Sequence, residues 1–131
     1  MTKSDTASEL VFVYGTLRRG ASNAHRMAGA EFVGRAVVAG DLYHIDWYPG
    51  LVTGGRGRVV GEVYRVDRRQ LRKLDRYEGI PAGESEGDEY RKIRVEAMLD
   101  GGGRLEVLVF EWKGPTDPIS RIPDGDWLGS R

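Results

Sequence analysis

The stretch VFVYGTLRRG, residues 11–20, has the pattern of a buried strand followed by an abrupt exit of the backbone. Four consecutive apolar or aromatic residues, 11–14, favour a buried strand, and Gly15 after them permits a turn where a side chain would clash. The segment Gly15-Thr16-Leu17 then has two interpretations. It is either an ordinary exit from a strand or a nest of N–H groups directed at an anion or a carbonyl oxygen. Taken alone, the stretch favours the ordinary exit.

Length and composition predict one small domain. The 131 residues, of which 40% are hydrophobic, suffice for a single core. We expect a flexible segment over residues 1–9 and one domain over residues 10–131. The N-terminal sequence MTKSDTASEL lacks the apolar run of a signal peptide, and no stretch approaches the ~18 apolar residues of a membrane span. A cytoplasmic protein with no membrane partner is therefore predicted.

Charge and cysteine content exclude several kinds of chemistry. Twenty Lys and Arg residues balance twenty Asp and Glu residues, which disfavours a nucleic-acid partner. The segments GGRGR (54–58) and GGGR (101–104) resemble RNA-binding tracts, but each is a single short instance and is interpreted as turn chemistry. The absence of cysteine excludes disulfides, a thiol nucleophile and thiolate metal sites.

The hydrophobic pattern is mostly that of strands. Strand composition is found at 31–40, 41–46 and 57–66, and two further strands, 90–99 and 104–112, flank DGGG as a hairpin. The stretch WYPGLVTGG is expected to be broken at Pro49 and Gly50. The tail from Lys113 onward, rich in Pro and Gly, is predicted to be irregular.

One segment, DRRQLRKLDRYEG at 67–79, has a helical period. Leu71, Leu74 and Tyr77 are three residues apart, Asp67 is a candidate N-cap, and Gly79 marks the end. About six strands and one helix, without long crossover connections, predict an α+β domain on a mixed or antiparallel sheet. Closure of that sheet into a small barrel would remove its exposed edges.

Few residues remain as candidates for chemistry. His25 and His44 have no companion ligand at metal-binding spacing, and the common serine-nucleophile, phosphate-loop and dinucleotide motifs are absent. Glu78, at the end of the predicted helix, faces the negative end of the helix dipole and lies three residues from Asp75. Both effects would raise its pKa, as in a general base, although a solvated Glu beside a glycine cap has the same sequence signature.

An ordered series of motifs resembles the gamma-glutamylcyclotransferase-like family over roughly residues 10 to 128. The series comprises YGTL (14–17), PGL (49–51), GEVYRV (61–66), LDRYEG (74–79), EYRKIRVEA (89–97) and GDWL (125–128). The resemblance implies a small closed β-barrel with flanking helices and a cavity bordered by the YGTL loop. It also implies that the backbone of Tyr14, Gly15, Thr16 and Leu17 holds a γ-glutamyl group, that Tyr90 lines the pocket, and that Glu78 is the catalytic glutamate.

The chain departs from the family pattern at two places. Members often have a tyrosine near the end of the last strand, where this chain has Trp112, and an indole cannot ionise as a phenol does. The segment AGESEGDE (82–89) is longer and more acidic than the expected link, and a solvated loop is its simplest interpretation. The departure at Trp112 bears on the identity of the substrate more than on the type of reaction.

The activity implied by the resemblance is cyclisation of a small-molecule γ-glutamyl amine or peptide to 5-oxoproline, with release of the free amine. Such a reaction requires no metal or other cofactor, and the protein would act as a monomer or a homodimer. The alternative is a non-catalytic domain on the same barrel that binds a small molecule or a protein. The two differ in whether Glu78 faces the same cavity as the amides of Gly15 and Thr16.

Overall fold

The computed structural model describes residues 8–129, which form five strands, one α-helix and two short 3-10 helices. The strands are β1 (Ser8–Val13), β2 (Glu31–His44), β3 (Pro49–Asp67), β4 (Tyr90–Leu99) and β5 (Arg104–Trp112). The α-helix, α1, spans Arg68–Tyr77, and the 3-10 helices span Ala24–Met27 and Pro118–Ser120. The first 3-10 helix is the single short turn that the polar stretch after β1 allows.

The five strands close into a barrel in the order β1-β3-β2-β4-β5. All neighbours are antiparallel except β5 and β1, which pair in parallel where Val11 lies opposite Leu108. Closure leaves no unpaired sheet edge to template aggregation. The predicted α+β fold with a small closed mixed barrel is thus confirmed.

Alternation along the strands produces two separate hydrophobic clusters. On β1, Phe12 belongs to the inner cluster, which fills the barrel, whereas Val11 and Val13 belong to the outer cluster, which lies outside it. On β5, Val107 and Val109 belong to the inner cluster, and Leu108, Phe110 and Trp112 belong to the outer one. This period of two is expected for strands with apolar residues on both faces.

Helix α1 covers part of the outer cluster. The side chain of Asp67 accepts a hydrogen bond from the backbone N–H of Gln70, which confirms the predicted N-cap. Leu74 is buried against the barrel, and Gly79, at φ 77°, takes the left-handed conformation that ends the helix. No helix within residues 8–129 combines the length and the apolar composition needed to cross a membrane.

The expected break at Pro49 and Gly50 is wrong. Strand β3 begins at Pro49 and runs for 19 residues. The predicted strands 31–40 and 41–46 form the single strand β2, so residues 8–129 contain five strands rather than about six. Proline is tolerated at the first position of a strand, where its missing N–H is not needed. The bend is instead at GGRG (54–57): Ala39 pairs with Arg58 and Gly40 with Thr53, so four residues bulge out of the ladder.

The two ends of the chain also differ in detail from the sequence prediction. Strand β1 begins at Ser8, two residues before the expected domain boundary, and the rest of the predicted flexible segment lies outside the described residues. The segment after β5 is irregular, as predicted, apart from its 3-10 turn. It nevertheless contributes Ile122 and Trp127 to the inner cluster. The tail is therefore part of the core.

Candidate active site

A cleft of about 170 Å³ opens where the end of β1, the end of α1 and the start of β4 meet. Its wall includes the YGTL loop, Glu78 and Tyr90. The remaining lining residues are Phe12, Val13, Trp47, Tyr48, Pro49, Tyr77, Glu89 and Phe110. Of these remaining residues, Trp47, Tyr48, Tyr77 and Glu89 are exposed or only partly buried, and we call them the rim. The side chain of Glu78 is itself partly buried. Tyr14, Thr16, Leu17 and Tyr90 are buried at the inner end.

The YGTL loop presents unused backbone donors to this cleft. Among residues 8–129, the N–H groups of Gly15, Thr16 and Leu17 donate no hydrogen bond, whereas the carbonyls of Gly15 and Thr16 accept from Arg18 and Asn23. The Thr16 hydroxyl lies 3.1 Å from the Tyr77 hydroxyl, which links the loop to the end of α1. Adjacent free N–H groups suit a carboxylate or a carbonyl oxygen.

Gly15 is required by its contact with Pro49. A Cβ atom at position 15 would lie 2.6 Å from Cγ and 2.8 Å from Cδ of the proline ring. Gly15 does not have a positive φ, so any residue type is compatible with its backbone conformation. The glycine is therefore explained by the close packing of the loop against the start of β3.

A buried ionic network holds the loop from its far side. Arg18, 4% exposed, donates through Nε to Glu62 at 3.2 Å and through Nη1 to Asp126 at 2.6 Å. The second Glu62 oxygen accepts the N–H of Arg19 at 3.0 Å. These bonds connect the loop to β3 and to the C-terminal segment. The position of the loop is thus fixed by the Arg18 and Arg19 contacts, and its free N–H groups are not needed to hold it in place.

Glu78 follows directly after α1, and its carboxylate has no hydrogen bond or ion pair within the described residues. Burial raises its pKa from 4.5 to about 8, with smaller contributions from the charges of Glu89 and Asp75. The predicted upward shift is confirmed. The effect of Asp75, expected from the sequence, ranks below those of burial and of Glu89. The group can take up and release a proton near neutral pH.

Two buried tyrosines complete the inner end of the cleft. The hydroxyl of Tyr14 donates to the carbonyl of Phe110 at 2.6 Å, and that of Tyr90 donates to the carbonyl of Pro49 at 2.9 Å. Burial raises the pKa of both phenols well above the usual value, and the nearby charge of Glu78 adds to the shift. Both therefore remain protonated and shape the wall.

Comparison with known proteins agrees with this geometry. The family model described as gamma-glutamyl cyclotransferase, AIG2-like, matches residues 11–129. The chain belongs to this family. It is 34% identical over 119 residues to the gamma-glutamylcyclotransferase family protein YtfP of Escherichia coli K12, covering 90% of this chain and 95% of that protein.

Two further comparisons extend the family relationship. The gamma-glutamylaminecyclotransferase of Bos taurus is 40% identical over 113 residues, covering 76% of this chain and 63% of that protein. The crystal structure of an AIG2-like protein from Mus musculus has a TM-score of 0.70 at 28% identity, covering 86% of this chain and 82% of that chain. Both sequence and fold therefore support the assignment to the cyclotransferase family.

The residues expected from the family resemblance occupy one place in the structure. Tyr14, Gly15, Thr16, Leu17, Glu78 and Tyr90 all line the cleft. Trp112 does not: it packs edge-on against Tyr90 at 5.4 Å and donates its indole N–H to the carbonyl of Pro115. The departure from the family pattern at position 112 thus reaches the cleft through the rings of Tyr90 and Tyr48, the latter at 6.4 Å. Within residues 8–129, no group of three or more metal-ligating side chains is found.

The rim is the part of the site that the sequence interpretation missed. Trp47 and Tyr48 lie in the turn between β2 and β3, and Glu89 ends the acidic loop 82–89. The adjacent aromatics of WYPG, placed in a polar turn, were a usable signal, because large rings rarely remain exposed without a partner. Most of the acidic loop is exposed, as expected of a solvated loop, but Glu89 contacts the cleft.

Proposed function

We propose that this protein is a cofactor-independent cyclotransferase that converts a γ-glutamyl amine to 5-oxoproline and the free amine, with Glu78 as general acid and base. The supporting observation is that the unpaired Glu78 carboxyl and the free N–H groups of residues 15–17 line the same cleft. A binding domain has no need for a poised proton acceptor opposite an anion-binding loop.

The loop would hold the γ-glutamyl group by its oxygens. Free N–H donors from Gly15, Thr16 and Leu17 suit the α-carboxylate and the γ-carbonyl of the substrate, and they strengthen as charge develops on the carbonyl oxygen. The 170 Å³ volume favours a folded glutamyl chain with its α-nitrogen near its own γ-carbon. Holding that conformation supplies part of the rate enhancement.

Glu78 would act in turn as base and as acid. The Glu78 carboxylate takes a proton from the substrate's α-ammonium, and the free amine attacks the γ-carbonyl carbon to form a ring C–N bond. As the tetrahedral intermediate collapses, Glu78 gives that proton to the departing nitrogen, whose bond to carbon breaks. The regenerated carboxylate then takes the remaining extra proton from the ring nitrogen and passes it to the released amine, which leaves 5-oxoproline and an ammonium. Because its pKa is raised to about 8, Glu78 is a stronger base than an ordinary carboxylate, so the first proton transfer is less steeply uphill.

The first experiment measures 5-oxoproline released from a panel of γ-glutamyl amines and dipeptides. We expect turnover by the wild type and a loss of roughly 10²-fold or more in Glu78→Gln, the usual size of a general-base contribution. Glu84→Gln, an exposed carboxylate of the loop outside the cleft, is the matched control and should retain wild-type turnover. Binding of the panel without any product would support the binding-domain alternative instead.

A second experiment separates cyclisation from hydrolysis of the same amide. Acetylation of the α-amine removes the attacking lone pair and leaves the scissile bond intact, so the N-acetylated substrate should be inert. In ¹⁸O-labelled water, 5-oxoproline should contain no label, as weighed by mass spectrometry. Labelled glutamate, or turnover of the acetylated compound, would show that Glu78 activates water and would overturn the mechanism.

A further inference from the structure

The cleft has carboxylates but no cation among its lining residues. Glu78 and Glu89 are its two charged side chains, and no Lys, Arg or His from residues 8–129 lines it. The two carboxyls are close enough for the charge of Glu89 to disfavour ionisation of Glu78. An added negative charge in the ligand would face repulsion, and an added positive charge would face attraction.

The two ends of the cleft would receive different parts of the substrate, an inference that rests on the proposed function. The reacting γ-glutamyl group belongs beside the YGTL loop, whose buried residues carry the free N–H groups, and within reach of Glu78, which lines the same cleft. The departing amine must then extend toward the rim, which opens to solvent and contains Glu89. The rim therefore determines which amines are accepted.

We propose that the cleft selects γ-glutamyl amines whose departing part bears a second positive charge and no carboxylate, and that Glu89 with the rings of Trp47 and Tyr48 recognises this charge. The chemical class is that of diamines and related polycations joined through one nitrogen to the γ-carboxyl of glutamate. Amino acids and peptides as departing groups would be disfavoured, because their carboxylates would meet Glu89.

Glu89 has the geometry of a positioned acceptor. The hydroxyl of Tyr48 donates to its Oε2 atom at 2.8 Å, and its Oε1 atom has no partner within the described residues. One oxygen thus fixes the orientation while the other is available to an ammonium group. The bond to Glu89 also adds to the burial effect that raises the pKa of Tyr48 to about 12, so this donor persists across the working pH range.

The aromatic part of the rim suits a cation as well. The Trp47 side chain is 60% exposed, and its ring lies perpendicular to that of Tyr48 at 5.0 Å. Exposed indole faces attract ammonium groups through the ring quadrupole. The Arg26 guanidinium lies 4.2 Å from the centre of the Tyr77 ring, but Arg26 lines the adjoining groove and not the cleft. An anionic departing group therefore finds no partner in the cleft.

The test uses three substrates of equal length, in which glutamate is joined by its γ-carboxyl to 1,4-diaminobutane, to pentylamine or to 5-aminopentanoate. They end in an ammonium, a methyl and a carboxylate respectively. For the wild type we expect kcat/KM to fall in that order, with the cationic substrate preferred over the anionic one by roughly tenfold or more. Equal values for all three would overturn the proposed selectivity and leave the proposed function standing.

Variants identify the residue that recognises the charge. Glu89→Gln should lower kcat/KM for the cationic substrate by roughly fivefold and raise it for the anionic one, while the methyl-terminated substrate changes little. A uniform loss for all three would mean that Glu89 contacts the common glutamyl part and would overturn the assignment. Glu84→Gln, with the same change in net charge, should leave the three ratios unaltered.

Trp47→Ala tests the aromatic contribution, and Ile119→Ala is its control, because Ile119 is 91% exposed and lies outside the cleft. We expect Trp47→Ala to reduce the preference for the cationic substrate severalfold and Ile119→Ala to leave it unchanged. An unchanged preference in Trp47→Ala would show that the Trp47 ring does not recognise the positive charge. No product from any of the three substrates would contradict the proposed function itself.

Discussion

At the scale of single residues, the raised pKa of Glu78 makes the stability of the fold depend on pH. Its carboxyl is disfavoured as an anion chiefly because it is buried, and the pKa is near 8 in the folded chain against 4.5 ordinarily. Below pH 4.5 the group is protonated both folded and unfolded, and its contribution to stability is fully present. As the pH rises through 8, the folded state must hold an unfavourable charge, so that contribution is lost.

The pH dependence of stability should therefore change in Glu78→Gln, which imitates the protonated acid. We expect the variant to match the wild type near pH 4 and to be more stable at pH 9, by about 2 kcal/mol after allowance for partial solvent access. Urea unfolding at several pH values measures this difference. For Glu84→Gln the difference from the wild type should not grow with pH. If the plots of stability against pH for Glu78→Gln and the wild type are parallel, the pKa of Glu78 is not raised.

The contact between Gly15 and Pro49 leads to a prediction about packing. A methyl group at position 15 would enter the proline ring, so Gly15→Ala should destabilise the fold by about 1–3 kcal/mol. Pro49→Ala removes both contacting ring carbons, and the Gly15→Ala change should cost less in that background. A double-mutant cycle by denaturant unfolding measures the coupling. Additive effects would show that the glycine serves another purpose.

Several site residues could be predicted from the sequence because each lies at the end of a recognisable helix or strand. Glu78 is located by the end of an amphipathic helix, and residues 14–17 by the end of a buried strand. The rim could not be predicted from the sequence, because Trp47, Tyr48 and Glu89 lie in connections whose direction depends on the closure of the barrel. The influence of Glu89 on Glu78 also depends on a tertiary distance and not on the eleven-residue separation.

At the scale of elements, the loop after β1 depends on the charge network around Arg18. Arg18 pairs with Glu62 on β3 and with Asp126 in the C-terminal segment, and the side chains of Arg18 and Glu62 are both about 5% exposed. Burial alone would raise the pKa of Asp126, but the hydrogen bonds from Arg18 and from the Gly129 N–H lower it overall. The loop is therefore held by β3 and by the C-terminal segment at once.

Removing one member of the buried Arg18–Glu62 pair should destabilise the fold more than removing both members. Arg18→Met leaves the Glu62 carboxylate buried without its cation and should cost about 3–5 kcal/mol. The double variant Arg18→Met/Glu62→Met should recover part of that loss, as measured by thermal and denaturant unfolding. If the double variant is the sum of the singles, the two side chains do not act as a pair.

Local chemistry also explains which elements were predictable. The hairpin of β4 and β5 follows from two strand patterns around DGGG, where Gly102 and Gly103 have φ near 100°. The extent of strand β3 was not predictable, because Pro49 and GGRG are turn signals, and pairing with β2 overrides them. Strand β3 pairs with β2 both before and after the four bulged residues, and this long-range pairing cannot be read from a local pattern.

At the scale of the whole molecule, the C-terminal segment closes the barrel's interior. Ile122 donates its N–H to the carbonyl of Leu42, and Val60 donates its N–H to that of Gly125. Trp127 packs in the inner cluster, so Trp127→Ala should destabilise the protein by about 3–5 kcal/mol. Ile119→Ala, at an exposed position of the same segment, should change stability by less than about 0.5 kcal/mol. Equal effects would show that the segment does not complete the core.

Three properties of the whole molecule stay predictions: a cytoplasmic location, a monomeric or homodimeric state, and catalysis without a metal or other cofactor. Size-exclusion chromatography with light scattering measures the second. Turnover of a γ-glutamyl amine in the presence of a strong chelator measures the third, with unchanged rates expected.

The separation of the inner and outer clusters has an evolutionary consequence. The residues that fill the barrel and fix strand register belong to the inner cluster, whereas Trp47 and Glu89 stand on connections outside both clusters. A substitution at either position leaves the pairing of the strands and the interior packing untouched. Under the proposed function, descendants of one ancestral barrel can thus diverge in the amines they accept while the residues that bind the glutamyl group are inherited unchanged.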